Sequence, residues 1–158
     1  MPCAIETKRS FFSTLKEVSE STAENFSGLG LLLYETGIFS KKHYEDLRPS
    51  FPPPRNVRLG DESAVRTLLE VSNNLNPLHD GFIFFNEKGD LTHVSQYFFP
   101  QPARDIVLNE AYGTRYRAAQ YGSLIRGVIL TGVINHDCRY FVFSKGKGVG
   151  LISELDYC

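Results

Sequence analysis

Two short segments bring together residue types that could do chemistry. The first, Asn76-Pro77-Leu78-His79-Asp80-Gly81, leads into the apolar run Phe82–Phe85. An acid at the mouth of a strand, followed by glycine, is a way to hold a divalent metal or a ribose hydroxyl, and the glycine would let the backbone approach a ligand closely. The second, Gly113-Thr114-Arg115-Tyr116-Arg117-Ala118-Ala119, reads as the opening of a helix. Its N-terminal amides would face an anion, and two guanidinium groups are planar donors matched to phosphate oxygens. The Ala-Ala pair suits close packing on a sheet. Each segment also has a plain reading. Asn, Pro, Asp and Gly all form turns, and a helix start with two solvated arginines is ordinary. Taken singly, each segment reads that way first.

Other candidates are less pointed. Lys145-Gly146-Lys147-Gly148 could grip phosphate, but it reads more simply as a solvated hairpin tip. His43, His93 and His136 have no partner at metal-ligand spacing and read as structural or exposed. Tyr97, Phe98 and Phe99 could stack a base, although burial on both sides of a sheet is the simpler account. Cys3, Cys138 and Cys158 form no C-x-x-C pair, so neither a zinc site nor a disulfide framework is suggested.

Elements must hold these segments in place. Thr7–Asn25 carries Phe11, Phe12, Leu15 and Val18 at helical spacing and predicts an amphipathic helix. Leu29–Tyr34 is a buried strand by its unbroken apolar run. Ile38–Pro54 reads as irregular, ending in three prolines, and Asn56–Leu59 as a brief strand. Asp61 is a good N-cap for a helix over Glu62–Ser72. Phe82–Phe85 and Leu91–Phe99 should be adjacent antiparallel strands joined by a turn at Asn86–Asp90. A helical pattern covers Arg104–Glu110, and a second covers Gly113–Ser123 with Ala118, Ala119 and Leu124 facing inward. Gly127–Val133, Tyr140–Ser144 and Gly148–Ile152 are strand-like, the last two as a hairpin. The expectation is one α/β domain with a central mixed β-sheet flanked by helices.

The totals agree. The 158 residues fit one domain. A chain this long buries roughly 70% of its unfolded surface and needs no staple. Lys+Arg 17 against Asp+Glu 18 gives no general case for a nucleic-acid or membrane-surface partner. No apolar run approaches ~18 residues, so no membrane segment is expected. With no signal pattern and with cysteines that read as reduced thiols, a cytoplasmic location is expected.

Together the two segments carry a resemblance. Asn-Pro-Leu-His-Asp-Gly-Phe resembles the diadenylate cyclase (DAC) signature around Leu-His-Asp-Gly-Ala, and Gly-Thr-Arg-Tyr-Arg-Ala-Ala resembles that family's Gly-Thr-Arg-His-Arg-Ala-Ala. They stand in the family's order, with a hairpin between them, and the likeness runs from about Gly28 to Ile152. The resemblance implies a DAC-like fold that joins two ATP molecules into cyclic di-AMP with a divalent metal (Mn or Mg). By position Asp80 would hold the metal and serve catalysis together with Arg115. Gly81, Phe82, Gly113, Thr114, Arg115, Tyr116 and Arg117 would contact ATP or a related nucleotide. A homo-oligomer with facing sites is implied as well. Three positions depart from the pattern. Phe82 replaces an alanine, Tyr116 replaces a histidine, and Ser144-Lys145-Gly146 stands where the family has Ser-Glu-Glu. These changes leave nucleotide binding expected and cyclase activity weak. The alternative is a degenerate DAC fold that acts as a nucleotide sensor or an interaction module.

Overall fold

The computed structural model describes residues 3–106 and 111–150. The chain runs α1 (Ile5–Glu20), β1 (Leu29–Tyr34), β2 (Tyr44–Asp46), α2 (Glu62–Val71), β3 (Phe82–Asn86), β4 (Leu91–Phe98), α3 (Thr114–Gly122), β5 (Val128–Ile134), β6 (Tyr140–Ser144) and β7 (Lys147–Gly148). The strands form one seven-stranded sheet in the order β2-β4-β3-β1-β5-β6-β7. β1 lies parallel to β3 and antiparallel to β5, so the sheet is mixed. This is the expected α/β architecture.

Period-two alternation in β3 divides the core. Ile83 and Phe85 face α1 and α2, where Phe11, Leu15, Val18, Leu68 and Val71 cover them. Phe82 and Phe84 face the opposite way, with Phe98, Ala119, Val133 and Phe143. The four apolar residues of α1 named above are all buried, which is why that helix lies on the sheet. α3 sits close to the other face for two reasons. A side chain at Gly122 would overlap the Phe98 ring, and the Thr131 hydroxyl donates to the Ala119 carbonyl at 2.6 Å. Phe84 is fully buried among Tyr34, Phe39, Tyr44 and Phe98. Phe84→Ala is therefore expected to cost about 3–5 kcal/mol, read as a lowered midpoint in urea denaturation.

Several expectations are corrected. α1 spans residues 5–20 rather than 7–25. Ile38–Pro54 is not wholly irregular, since Lys41–His43 forms a 3-10 turn and β2 pairs with β4 through three residues. Asn56–Leu59 is not a strand. Only Arg58 bridges to Asp90, and Asn56 at φ 60° breaks the extension. Asp61 stands at the N-cap of α2, but its carboxylate makes no capping bond. Arg104–Ile106 is turn and bend, not helix; the rest of that pattern, residues 107–110, lies outside the described residues. Leu124 is exposed because α3 ends before it. Tyr97 and Phe99 are 54% and 36% exposed, so only Phe98 of that trio is core. β7 ends at Gly148, and Leu151 and Ile152 lie outside the described residues.

Candidate functional site

The two segments meet at one place. A cavity of about 470 Å³ opens on the α3 face of the sheet, within the range of small-molecule sites. Gly81 and Phe82, at the start of β3, form part of its wall. Gly113, Thr114, Arg115 and Tyr116, at the head of α3, form another part. Ser27, just before β1, and Val133, Ile134, Asn135 and His136, at the end of β5, line it too, as do Gln96–Phe98 of β4. Asp80 and Arg117 do not line it among the described residues.

Arg115 is the side chain that joins the segments. Its Nη1 donates to the Ser27 carbonyl and its Nη2 to the His79 carbonyl, each at 3.3 Å. Burial pulls the guanidinium below its ordinary pKa, opposed by the carboxylate of Asp80; a guanidinium stays charged regardless. Gly28 makes room for it. That residue sits at φ 99°, and a β-carbon there would come within 2.5 Å of Arg115 Nη1. No side chain caps α3, so its first amides and the positive end of its dipole are available to an anion. Gly113 faces open space.

Gly81 also has a part in the fold. It adopts φ 83°, and a β-carbon would lie 2.5 Å from the Gln96 carbonyl oxygen. The backbone of β4 by itself already requires a glycine here. Phe82 is 4% exposed. Its ring lies over Gly30, where a β-carbon would meet it at 2.9 Å, and edge-on to Phe98 at 5.2 Å. Tyr116 stacks on Tyr112 at 4.4 Å and meets Phe141 and Phe143 edge-on. Burial pushes its hydroxyl above the ordinary value, which fits a wall rather than a proton carrier.

Asp80 is half-exposed beside the cavity. Its Oδ2 lies 3.7 Å from Arg48 Nη2, and its Oδ1 lies 3.2 Å from His79 Nε2. The His79 ring is held by its Nδ1, which donates to the Asn76 carbonyl at 2.7 Å. Among the described residues no three His, Cys, Asp or Glu side chains cluster as metal ligands. Lys145 and Gly146 form the two-residue turn between β6 and β7, with φ 51° and 82°, and bring no acid. Among the described residues, Asp80 is thus the acid of the first segment that could hold a divalent metal, with no such cluster around it. A cation arriving with a nucleotide would draw most of its shell from phosphates and water.

Sequence reasoning missed Ser27, Gln96, Asn135 and His136. Nothing local marks the first three. His136 was expected to be structural or exposed, and it is exposed at the cavity rim.

No family model and no curated protein matches the chain. Solved structures do match. One is the crystal structure of the hypothetical membrane spanning protein from Bacillus cereus, with a TM-score of 0.65 and 17% identity. The match covers 92% of this chain, which spans 64% of that one. Another is DacA from Staphylococcus aureus, an N166C/T172C double mutant, with a TM-score of 0.60 and 14% identity over 96% of this chain and 91% of that one. The fold is thus DAC-like and divergent in sequence. No helix among the described residues is long and apolar enough to cross a membrane.

Proposed function

We propose that this domain binds a nucleotide in the cavity at the head of α3 and retains little of the cyclisation that makes cyclic di-AMP. One observation carries the reading. Gly81 and Phe82 from one segment, and Gly113–Tyr116 from the other, line a single cavity although they are 31 or more residues apart in sequence (113 − 82 = 31). The uncapped helix end and the Arg115 guanidinium supply donors for phosphate.

Turnover asks for more. Phosphoryl transfer depends on metal placement and in-line geometry rather than on covalent help from the protein. Asp80 belongs to no cluster of three His, Cys, Asp or Glu side chains among the described residues, and both of its oxygens already face Arg48 or His79. Pairing of two copies with facing sites belongs to turnover and is not needed for binding.

The test is incubation with ATP and Mn²⁺ followed by analysis for cyclic di-AMP. The expected yield is about a hundredfold or more below that of a competent diadenylate cyclase assayed alongside. Asp80→Asn should remove the residual product while leaving nucleotide affinity in EDTA unchanged. Brisk cyclisation by the unaltered chain would mean that the departures at Phe82, Tyr116 and Lys145-Gly146 are harmless.

A further inference from the structure

We infer that the arch Pro49–Asn56 is a docking surface for a protein module whose groove is lined by aromatic rings and edged by a carboxylate. Such grooves recognise polyproline II helices. None of these residues lines the cavity, so the surface stands whether or not a nucleotide binds there. Phe51-Pro52-Pro53-Pro54-Arg55 dictates its own backbone. Each proline ring fixes φ near about −65°. Each residue before a proline, here Phe51, Pro52 and Pro53, is driven to extended backbone. The peptide bonds are trans, and no residue from 51 to 55 has a positive φ. Residues 52–54 belong to no helix, strand or turn. The combination is a short polyproline II helix, which has about three residues per turn and no internal hydrogen bonds.

The stretch is displayed rather than packed. Every residue from Pro49 to Asn56 is exposed, and Phe51 keeps 44% of its surface in solvent. Among the described residues, no backbone hydrogen bond involves residues 52–56, and Arg55 has no ion-pair partner. The two ends, by contrast, are fixed. Arg48 donates from Nε to the Pro77 carbonyl and from Nη1 to the Leu47 carbonyl, each at 3.2 Å. Val57 is buried, and its carbonyl accepts from the Leu91 N–H at 2.9 Å. Fixed ends and a proline-set backbone leave little conformational entropy to lose on binding, which favours recognition.

The side chains define the partner. At about three residues per turn, Phe51 and Pro54 share one ridge and Pro52 and Arg55 the next. The Phe51 ring and the pyrrolidine faces fit between aromatic side chains. The free carbonyls of residues 52–54 are acceptors for the Tyr O–H or Trp N–H groups of such a groove. Arg55, exposed and unpaired, calls for a carboxylate at the groove's end.

The chain contains no tryptophan, so the tryptophan fluorescence of an added module reports binding without background. The full chain is titrated into isolated SH3, WW and EVH1 domains, which bind proline-rich segments through aromatic-lined grooves. At least one should bind with a dissociation constant of about 100 µM or tighter. Phe51→Ala, and separately the triple change Pro52→Ala, Pro53→Ala and Pro54→Ala, should each weaken that binding about tenfold or more. Arg55→Glu should weaken it and Arg55→Lys should largely restore it. All four variants should keep the melting temperature of the unaltered chain, because the stretch packs against nothing. Absence of binding to all three domains at millimolar chain would overturn the inference, as would binding that survives the triple change. Self-association abolished by Phe51→Ala would also overturn it, by making a second copy of this chain the occupant.

Discussion

Arg115→Ala is expected to weaken nucleotide binding about tenfold or more and to destabilise the domain at the same time. The first effect follows from losing a charge-assisted bond to phosphate, which contributes roughly 1.5–3 kcal/mol. The second follows from the carbonyls of Ser27 and His79, which lose their donor. At 3.3 Å these are long bonds, so a stability loss of about 2 kcal/mol is expected, at the lower end for charged donors. Arg115→Lys separates the two. It restores the charge but cannot bridge both carbonyls with one point-like ammonium. Its affinity should recover in part while its melting temperature stays low. Calorimetry and thermal denaturation of the three proteins decide the matter. If Arg115→Ala binds nucleotide as tightly as the unaltered chain, the arginine is a structural clamp and nothing more.

Gly81→Ala should be the most damaging small substitution in the first segment. Left-handed backbone costs a β-carbon roughly 1–2 kcal/mol. Here the new methyl would also press on the Gln96 carbonyl, 2.5 Å away, and that oxygen belongs to a paired strand that cannot swing aside. Overpacking adds about 1–3 kcal/mol. The expected total is therefore about 3 kcal/mol, measured by urea denaturation. Gly37→Ala is the control, because Gly37 has nearly the same φ, 84°, and nothing within 4 Å of the added carbon. It should lose only the backbone cost, about 1–2 kcal/mol. Equal losses in the two variants would refute the packing explanation for Gly81.

Legibility from sequence followed the range of the interactions. Leu29–Tyr34 was readable because a strand buried on both faces is an unbroken apolar run. The β3–β4 hairpin was readable from its turn residues, and α2 and α3 from their periodicity and opening residues. β2 was not, because three residues at a sheet edge show no alternation. The convergence of the two segments was visible only through their joint resemblance to one family. Their fine roles were hidden. Arg115 reaches carbonyls 88 and 36 positions away, and Asp80 meets an arginine 32 positions away (80 − 48 = 32). Such contacts leave no local pattern. Gly81 illustrates the same limit. Its type announced an unusual backbone, but only the position of β4 tells which neighbour demands it.

The central claim, that the cavity at the head of α3 is a nucleotide site, is tested most directly by amide NMR of the ¹⁵N-labelled chain titrated with adenosine monophosphate. The largest shift changes should fall on Gly81, Phe82, Gly113, Thr114, Arg115 and Tyr116, with Asn135 among the next, since these residues line one cavity. They should saturate together with a single dissociation constant. Changes confined to other surfaces, such as the Lys145-Gly146 turn, or no changes at millimolar nucleotide, would contradict the account.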